Sequence, residues 1–291
     1  MRLVGRGWGE PRDREQAKRV LRRAVQLGVT FIDTADAYGP EANELLIREA
    51  LHPYPYDLVI ASKGGNVREG PSRLIANGRP EHLRRACEGS LRRLGLDSLP
   101  LYQLHTVDPE VPVEESVGAL ADLRAEGKIR HLGLCNVDRD TLERARRVAP
   151  VASVQNRYNL AERAAEPVLR ACEAAALVFI PWFPLARGWL PRGGRRLARV
   201  ARARRATRAQ ISLAWVLARS PITLPIPGTT SLEHLEENVG AAEVRLSSED
   251  IAALEGYRLL TYDAARFAKA AARSAMRRIS RRKRRVPIRT S

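Results

Sequence analysis

LPLYQLHTVDPEVPVEESVGALADLRAEGKIRHLGLCN, residues 99–136, reads as strand, helix, strand. LPLYQLH (99–105) and IRHLGLCN (129–136) are short apolar runs, and residues 112–125 between them form an amphipathic stretch of helical length. Apolar runs joined by a helical crossover mean parallel strands buried on both faces. The pattern repeats in both directions. The further strand candidates are VTFID (29–33), DLVIASK (57–63), VASVQN (151–156), LVFIPW (177–182) and ITLPIPG (222–228). Helices are expected over 13–27, 41–51, 80–94, 139–149, 166–176, 204–217 and 231–241; in 80–94, Leu83, Cys87, Leu91 and Leu94 fall on one face. Eight helices with seven clear strands imply an eighth strand before residue 13, where only RLV (2–4) stands ahead of GRGWG (5–9). Eight such units in about 260 residues favour closure into a (β/α)8 TIM barrel of eight parallel strands, the first one short. Residues 1–260 read as one domain and 261–291 as a basic tail.

The composition fits a globular protein: 291 residues, 44% of them hydrophobic, fill a sizeable core. Cys87, Cys135 and Cys172 are odd in number and form no CxxC pair, so neither a disulfide framework nor a zinc site is indicated, and no other metal motif occurs. A reducing, cytoplasmic location fits best. The longest apolar run, LVFIPWFPLA (177–186), is broken by two prolines and falls short of the roughly 18 residues of a membrane span. No membrane contact and no N-terminal signal segment are expected. The net charge of +17 is local: the tail from Thr261 carries eleven Lys and Arg against Asp263 alone, +10 of the total.

Active sites of such barrels lie at the C-terminal ends of the strands. Here the runs end on Asp33, Lys63, His105, Asn136, Gln155 with Asn156, and Trp182. Each has an ordinary alternative: Asp33 as a loop acceptor, Lys63 as a snorkelling surface lysine, His105 as a satisfied half-buried histidine, Tyr38 as a turn anchor. Their joint occurrence points to chemistry. Reduction of a carbonyl needs a hydride, which no side chain supplies, and an acid for the nascent alkoxide. A tyrosine with pKa about 10 is a weak acid at neutral pH, and an ammonium beside it lowers that value. Lys63 suits that role for Tyr38, Asp33 would hold the lysine charged, and a neutral His105 would orient the carbonyl oxygen.

FIDTADAYG (31–39), ASKGG around Lys63 and LYQLH ending at His105 resemble the aldo-keto reductase family in residue order and spacing. The resemblance covers roughly residues 2–258. It implies reduction of aldehydes or ketones by NADPH, with NADH as the other cofactor, catalysed by Asp33, Tyr38, Lys63 and His105. IRHLGLCN and VQNRYNL resemble the strands that bind the nicotinamide carboxamide, implying Asn136 and Gln155. PWFPLARG resembles the family's YSPLGRG, placing Trp182 against the nicotinamide ring and adding Pro184, Leu185 and Arg187. IPGTTSLEHLEENV resembles the segment gripping the adenosine phosphate, implying Gly228, Thr229, His234, Glu237 and Asn238; Thr230 and Glu233 have the spacing of a capping box there. Where NADP-preferring members often carry a lysine and an arginine, this chain has Gly228 and His234, and Cys135 replaces the usual serine.

Other readings are weaker. A dinucleotide fingerprint at GRGWGE fails because its third glycine would fall at Glu10, and no HExxH or histidine cluster supports a metal-dependent hydrolase. A cofactor-binding, redox-sensing regulatory barrel is the alternative from another class, and the intact Asp33, Tyr38, Lys63 and His105 set argues against it. The expected partner is a small carbonyl compound; residues 64–79 read as a loop overhanging the mouth with several arginines, which points to polar or acidic carbonyl compounds. The chain is expected to be a monomer or weak homo-oligomer. The tail reads as flexible, solvated chain, with non-specific nucleic-acid contact as the sharper alternative. Deleting residues 261–291 is therefore expected to leave the thermal unfolding midpoint unchanged; salt-sensitive DNA binding that vanishes with the deletion would mark the tail as an anchor.

Overall fold

The computed structural model describes residue 3 and residues 9–71, 73–188, 190 and 194–255. Strands β1 (Phe31–Asp33), β2 (Val59–Gly64), β5 (Leu99–Leu104), β6 (Ile129–Cys135), β7 (Val151–Arg157) and β8 (Val178–Trp182) form one parallel sheet in chain order. Helices α1 (Arg14–Gln26), α2 (Ala42–Leu51), α3 (Pro80–Leu94), α4 (Val113–Ala125), α5 (Arg139–Val148) and α6 (Glu166–Ala174) precede or link them; α7 (Arg195–Ala203), α8 (Arg208–Ala218), α9 (Leu232–Val239) and α10 (Ser248–Glu255) follow. No described helix is long and apolar enough to cross a membrane.

Two apolar layers follow from the period-two alternation of the strands. Outward-facing residues such as Ile60, Tyr102, Leu104 and Val154 pack against the helices in one extensive core, filled after β7 by Tyr158, Phe179 and Trp215, with Tyr158 stacked on Trp215 at 5.9 Å between ring centres. Inward-facing Ala61, Leu101 and Ile180 form a second cluster with Phe31, Leu224 and Ile226. A curled sheet needs this separate inner filling.

Several expectations are corrected. The run 222–228 makes only one bridge, Thr223 beside Phe179: Phe179 N donates to Ile222 O at 2.9 Å and Leu224 N to Phe179 O at 2.8 Å. Pro225 and Pro227 bring no N–H to a further ladder, so the pairing stops there. The expected first strand lies outside the described residues except for buried Leu3, whose N–H donates to Asn43 Oδ1 at 2.8 Å. Residues 64–79, read as a loop, contain an antiparallel hairpin of β3 (Asn66–Glu69) and β4 (Arg73–Ala76). The helix expected over 204–217 begins at Arg208, where Thr207 and Gln210 form a capping box, and α7 precedes it. The capping box expected at Thr230 and Glu233 is absent: Ser231 is the N-cap of α9 and accepts from His234 N. The tail expected over 261–291 lies outside the described residues.

Glu44 of α2 ties helices to sheet behind the barrel interior. It is fully buried, accepting from Ser62 Oγ of β2 at 2.5 Å and from Arg93 Nε of α3 at 2.6 Å. Ser62 and Lys63, as strand neighbours, face opposite sides of the sheet. Glu44→Ala strands the Ser62 hydroxyl and half-unpairs Arg93, and is expected to destabilise the fold by about 3 kcal/mol in urea titration.

Candidate active site

The strand ends converge on a cleft of about 960 Å³. Its wall contains Asp33, Tyr38, His105, Asn136, Gln155 and Trp182 from the strand ends and the loop after β1. Pro184 and Leu185 join it from the segment after β8, Gly228 and Thr229 from the segment leading into α9, and His234, Glu237 and Asn238 from α9 itself. Two expected residues are not seen on the wall. Lys63 is fully buried, behind the wall, and the Arg187 side chain lies outside the described residues.

Register explains the polar layer at the top of the barrel interior. Pairing sets Lys63 beside Gln103, Gln103 beside Gly133 and Cys135 beside Gln155. Lys63 Nζ donates to Asp33 Oδ2 at 2.6 Å and to Thr34 O at 2.8 Å. Asp33 Oδ1 accepts from Gln155 Nε2 at 2.8 Å and Gln103 Nε2 at 3.1 Å. Cys135 Sγ lies 3.7 Å from Gln103 Oε1, so the thiol joins the same network. Gly133 leaves room for it, since a Cβ there would stand 2.8 Å from Gln103 Cγ and 2.5 Å from Ser153 Oγ. Lys63 Nζ lies 5.1 Å from the Tyr38 ring centre, and the Tyr38 and His105 rings meet edge to face at 5.7 Å.

Asn136 follows β6 in the left-handed region at φ 59°, which asparagine tolerates better than most residues. Its Nδ2 donates to His105 O at 3.0 Å, and its Oδ1 accepts from Trp182 Nε1 at 2.9 Å. One amide thus joins the ends of three strands. Asn156 pins the same corner, accepting from Val137 N and donating to Val137 O.

The electrostatics follow from burial of one ion pair. Burial opposes charge on Lys63, but Asp33 more than compensates and raises the lysine pKa. Burial also works against charge on Asp33, yet Lys63 and the amide donors hold its carboxyl below the usual value. Burial, reinforced by the Lys63 charge, drives His105 down to about 3, so the imidazole is neutral. Its Nδ1 is buried with no hydrogen-bond partner among the described residues. The expected lowering of the Tyr38 pKa is corrected: burial outweighs the Lys63 charge and raises it, so the phenol is held protonated.

Four polar residues of the site were not anticipated. Gln103 braces Asp33 from within an otherwise apolar strand; its signal was a polar residue two positions before His105, hence on the same face. Asn66, Arg68 and Thr106 also line the cleft, the first two on the hairpin. Arginines in residues 64–79 marked that segment as polar, but no local pattern told which one reaches the cleft. Among the described residues no group of three or more His, Cys, Asp or Glu side chains could hold a metal ion.

Comparisons with known proteins identify the family. The chain is 48% identical over 256 residues to an uncharacterized oxidoreductase of Schizosaccharomyces pombe, covering 88% of this chain and 83% of the relative. It is 41% identical over 263 residues to the pyridoxine 4-dehydrogenase of Escherichia coli, covering 88% and 92%. Among solved structures, an aldo/keto reductase from Klebsiella pneumoniae in complex with NADP and acetate superposes with a TM-score of 0.74 at 33% identity, covering 86% of this chain and 88% of that one. The model of the aldo/keto reductase family matches residues 1–258. The chain belongs to the aldo/keto reductase family and has its (β/α)8 barrel fold.

Proposed function

We propose that this aldo/keto reductase reduces aldehydes or ketones to alcohols, with Tyr38 as proton donor and NADPH, or alternatively NADH, as reductant. The observation that carries the reading is the buried Lys63–Asp33 pair set beside the Tyr38 ring and the neutral His105 at the cleft. When bound, the nicotinamide supplies the hydride.

The chain's own residues do the rest. Tyr38 and His105 share one side of the cleft, where both can hydrogen-bond a carbonyl oxygen. A neutral imidazole orients that oxygen without placing a second cation next to Lys63. As negative charge builds on the oxygen, the Tyr38 hydroxyl gives up its proton, and the Lys63 ammonium stabilises the phenolate left behind. Asp33 keeps Lys63 charged and in place.

The residues fit the cofactor. Gln155 spends its Nε2 on Asp33 and Gln103, while its Oε1 has no described partner on the cleft wall and suits an amide N–H of the nicotinamide carboxamide. Asn136 faces the same space, with Trp182 fixed to it as a flat apolar surface for the ring. Pro184 and Leu185, on the same wall, would cover the middle of the cofactor. Gly228, Thr229, His234, Glu237 and Asn238 would hold the adenosine end, where the N-terminus of α9 favours phosphate. The physiological partner is a small carbonyl compound.

Fluorescence titration with NADPH and NADH, followed by turnover of nitrobenzaldehyde, tests the reading; saturable binding with turnover supports it, while binding without turnover favours the regulatory alternative. Tyr38→Phe is expected to lower kcat by about 10²- to 10⁴-fold while leaving NADPH binding unchanged. Because burial and the Lys63 charge drive His105 down to about 3, its imidazole is expected to stay neutral between pH 8 and 5, checked by the absence of a titration shift in its ring NMR resonances over that range.

A further inference from the structure

The hairpin places one cation on the cleft wall near the reacting end. Arg68 and Thr106 both line the cleft alongside Tyr38 and His105. Arg68 Nε donates to Ala37 O at 2.8 Å, anchoring the guanidinium one residue from Tyr38, and Nη1 reaches Pro71 O at 3.4 Å. Nη2 has no partner among the described residues, and no described carboxylate pairs with Arg68. Its charge acts on His105 in the same direction as that of Lys63.

The neighbouring polar groups are arranged as donors. Asn66, nearly fully buried, donates from Nδ2 to Thr106 Oγ1 at 3.1 Å. With an oxygen lone pair occupied in this way, the Thr106 hydroxyl proton is left to donate elsewhere. The described carboxylates on the cleft wall do not compete for Arg68: Asp33 is neutralised by Lys63, and Glu237 belongs to α9 at the adenosine end of the proposed cofactor site. A guanidinium with its Nη2 unused and a hydroxyl donor on the same cleft wall form a subsite for an anionic group.

We propose that Arg68, with Thr106, is a specificity subsite for the carboxylate or phosphate of an acidic carbonyl substrate, held while its carbonyl lies against Tyr38 and His105. The proposal rests on the reductase reading and names the substrate class it favours. The anion replaces the water that solvates Arg68, and the attraction is strengthened by the partial burial of the hairpin's inner face.

Matched substrate pairs test this in the NADPH-bound enzyme: benzaldehyde against 4-carboxybenzaldehyde for a carboxylate, and glyceraldehyde against glyceraldehyde 3-phosphate for a phosphate. The wild-type enzyme is expected to prefer the anionic member of at least one pair, the pair identifying the group. Arg68→Met is expected to lower kcat/KM for that member by about 10- to 100-fold and to spare the neutral one. Arg68→Gln, which retains a donor for Ala37 O, separates loss of charge from displacement of the Tyr38 loop and should reproduce the selective loss. Equal losses for neutral and anionic substrates in both variants, or no loss in either, overturn the proposal. Should the wild type reduce none of these aldehydes, the reductase reading fails, and calorimetric titration with 4-(hydroxymethyl)benzoate still decides the subsite: binding weakened about tenfold by Arg68→Met supports it, and binding unaffected by the substitution, or absent from the wild type, overturns it.

Discussion

A lysine ammonium with no exposed surface constrains everything around it. Lys63 is charged in the barrel interior, and an isolated charge there would cost far more than the fold can offset. Asp33 and Thr34 O satisfy it, and Asp33 in turn must be satisfied by Gln103 and Gln155. This chain of obligations runs through β1, β2, β5 and β7. A pair of this kind contributes little net stability compared with apolar residues of the same size. What the pair does provide is a fixed positive charge 5.1 Å from the centre of the Tyr38 ring.

The barrel interior is divided accordingly. Ala61, Leu101 and Ile180 fill one apolar layer, and one strand pleat further on the same faces carry Lys63, Gln103 and the side chains that meet them. Cys135 is buried within the polar layer, and burial raises its thiol pKa, so it is a weak donor to Gln103 and not a nucleophile. Beyond the strand ends the backbone takes uncommon conformations, with Asn136, Phe183 and Ala186 all at positive φ. Such positions persist where surrounding contacts over-determine them, as the Asn136 amide is by His105 O and the Trp182 indole.

Much of the architecture was legible because the apolar runs and amphipathic stretches report which faces are buried. Six strands and the helices between them lie close to their expected positions. The misreadings came from local signals of limited reach. ITLPIPG has a strand's composition, but its prolines cannot sustain a ladder. The hairpin of Asn66–Glu69 and Arg73–Ala76 lacks strong alternation and was hidden among arginines and glycines. Thr230 and Ser231 both suit a helix cap, and only the path of the chain chose between them.

By itself the sequence determined the parallel βα order and the identity of the residues at the strand ends, because hydrophobic period and strand polarity are local properties. It could not determine which of those residues touch. The tertiary structure placed Lys63 behind the cleft wall and not on it, recruited Gln103 as a brace for Asp33, and brought Arg68 from the hairpin to the mouth. It also reversed the expected direction of the Tyr38 pKa, since the balance between desolvation and a neighbouring charge depends on depth and distance, and neither is written in residue spacing.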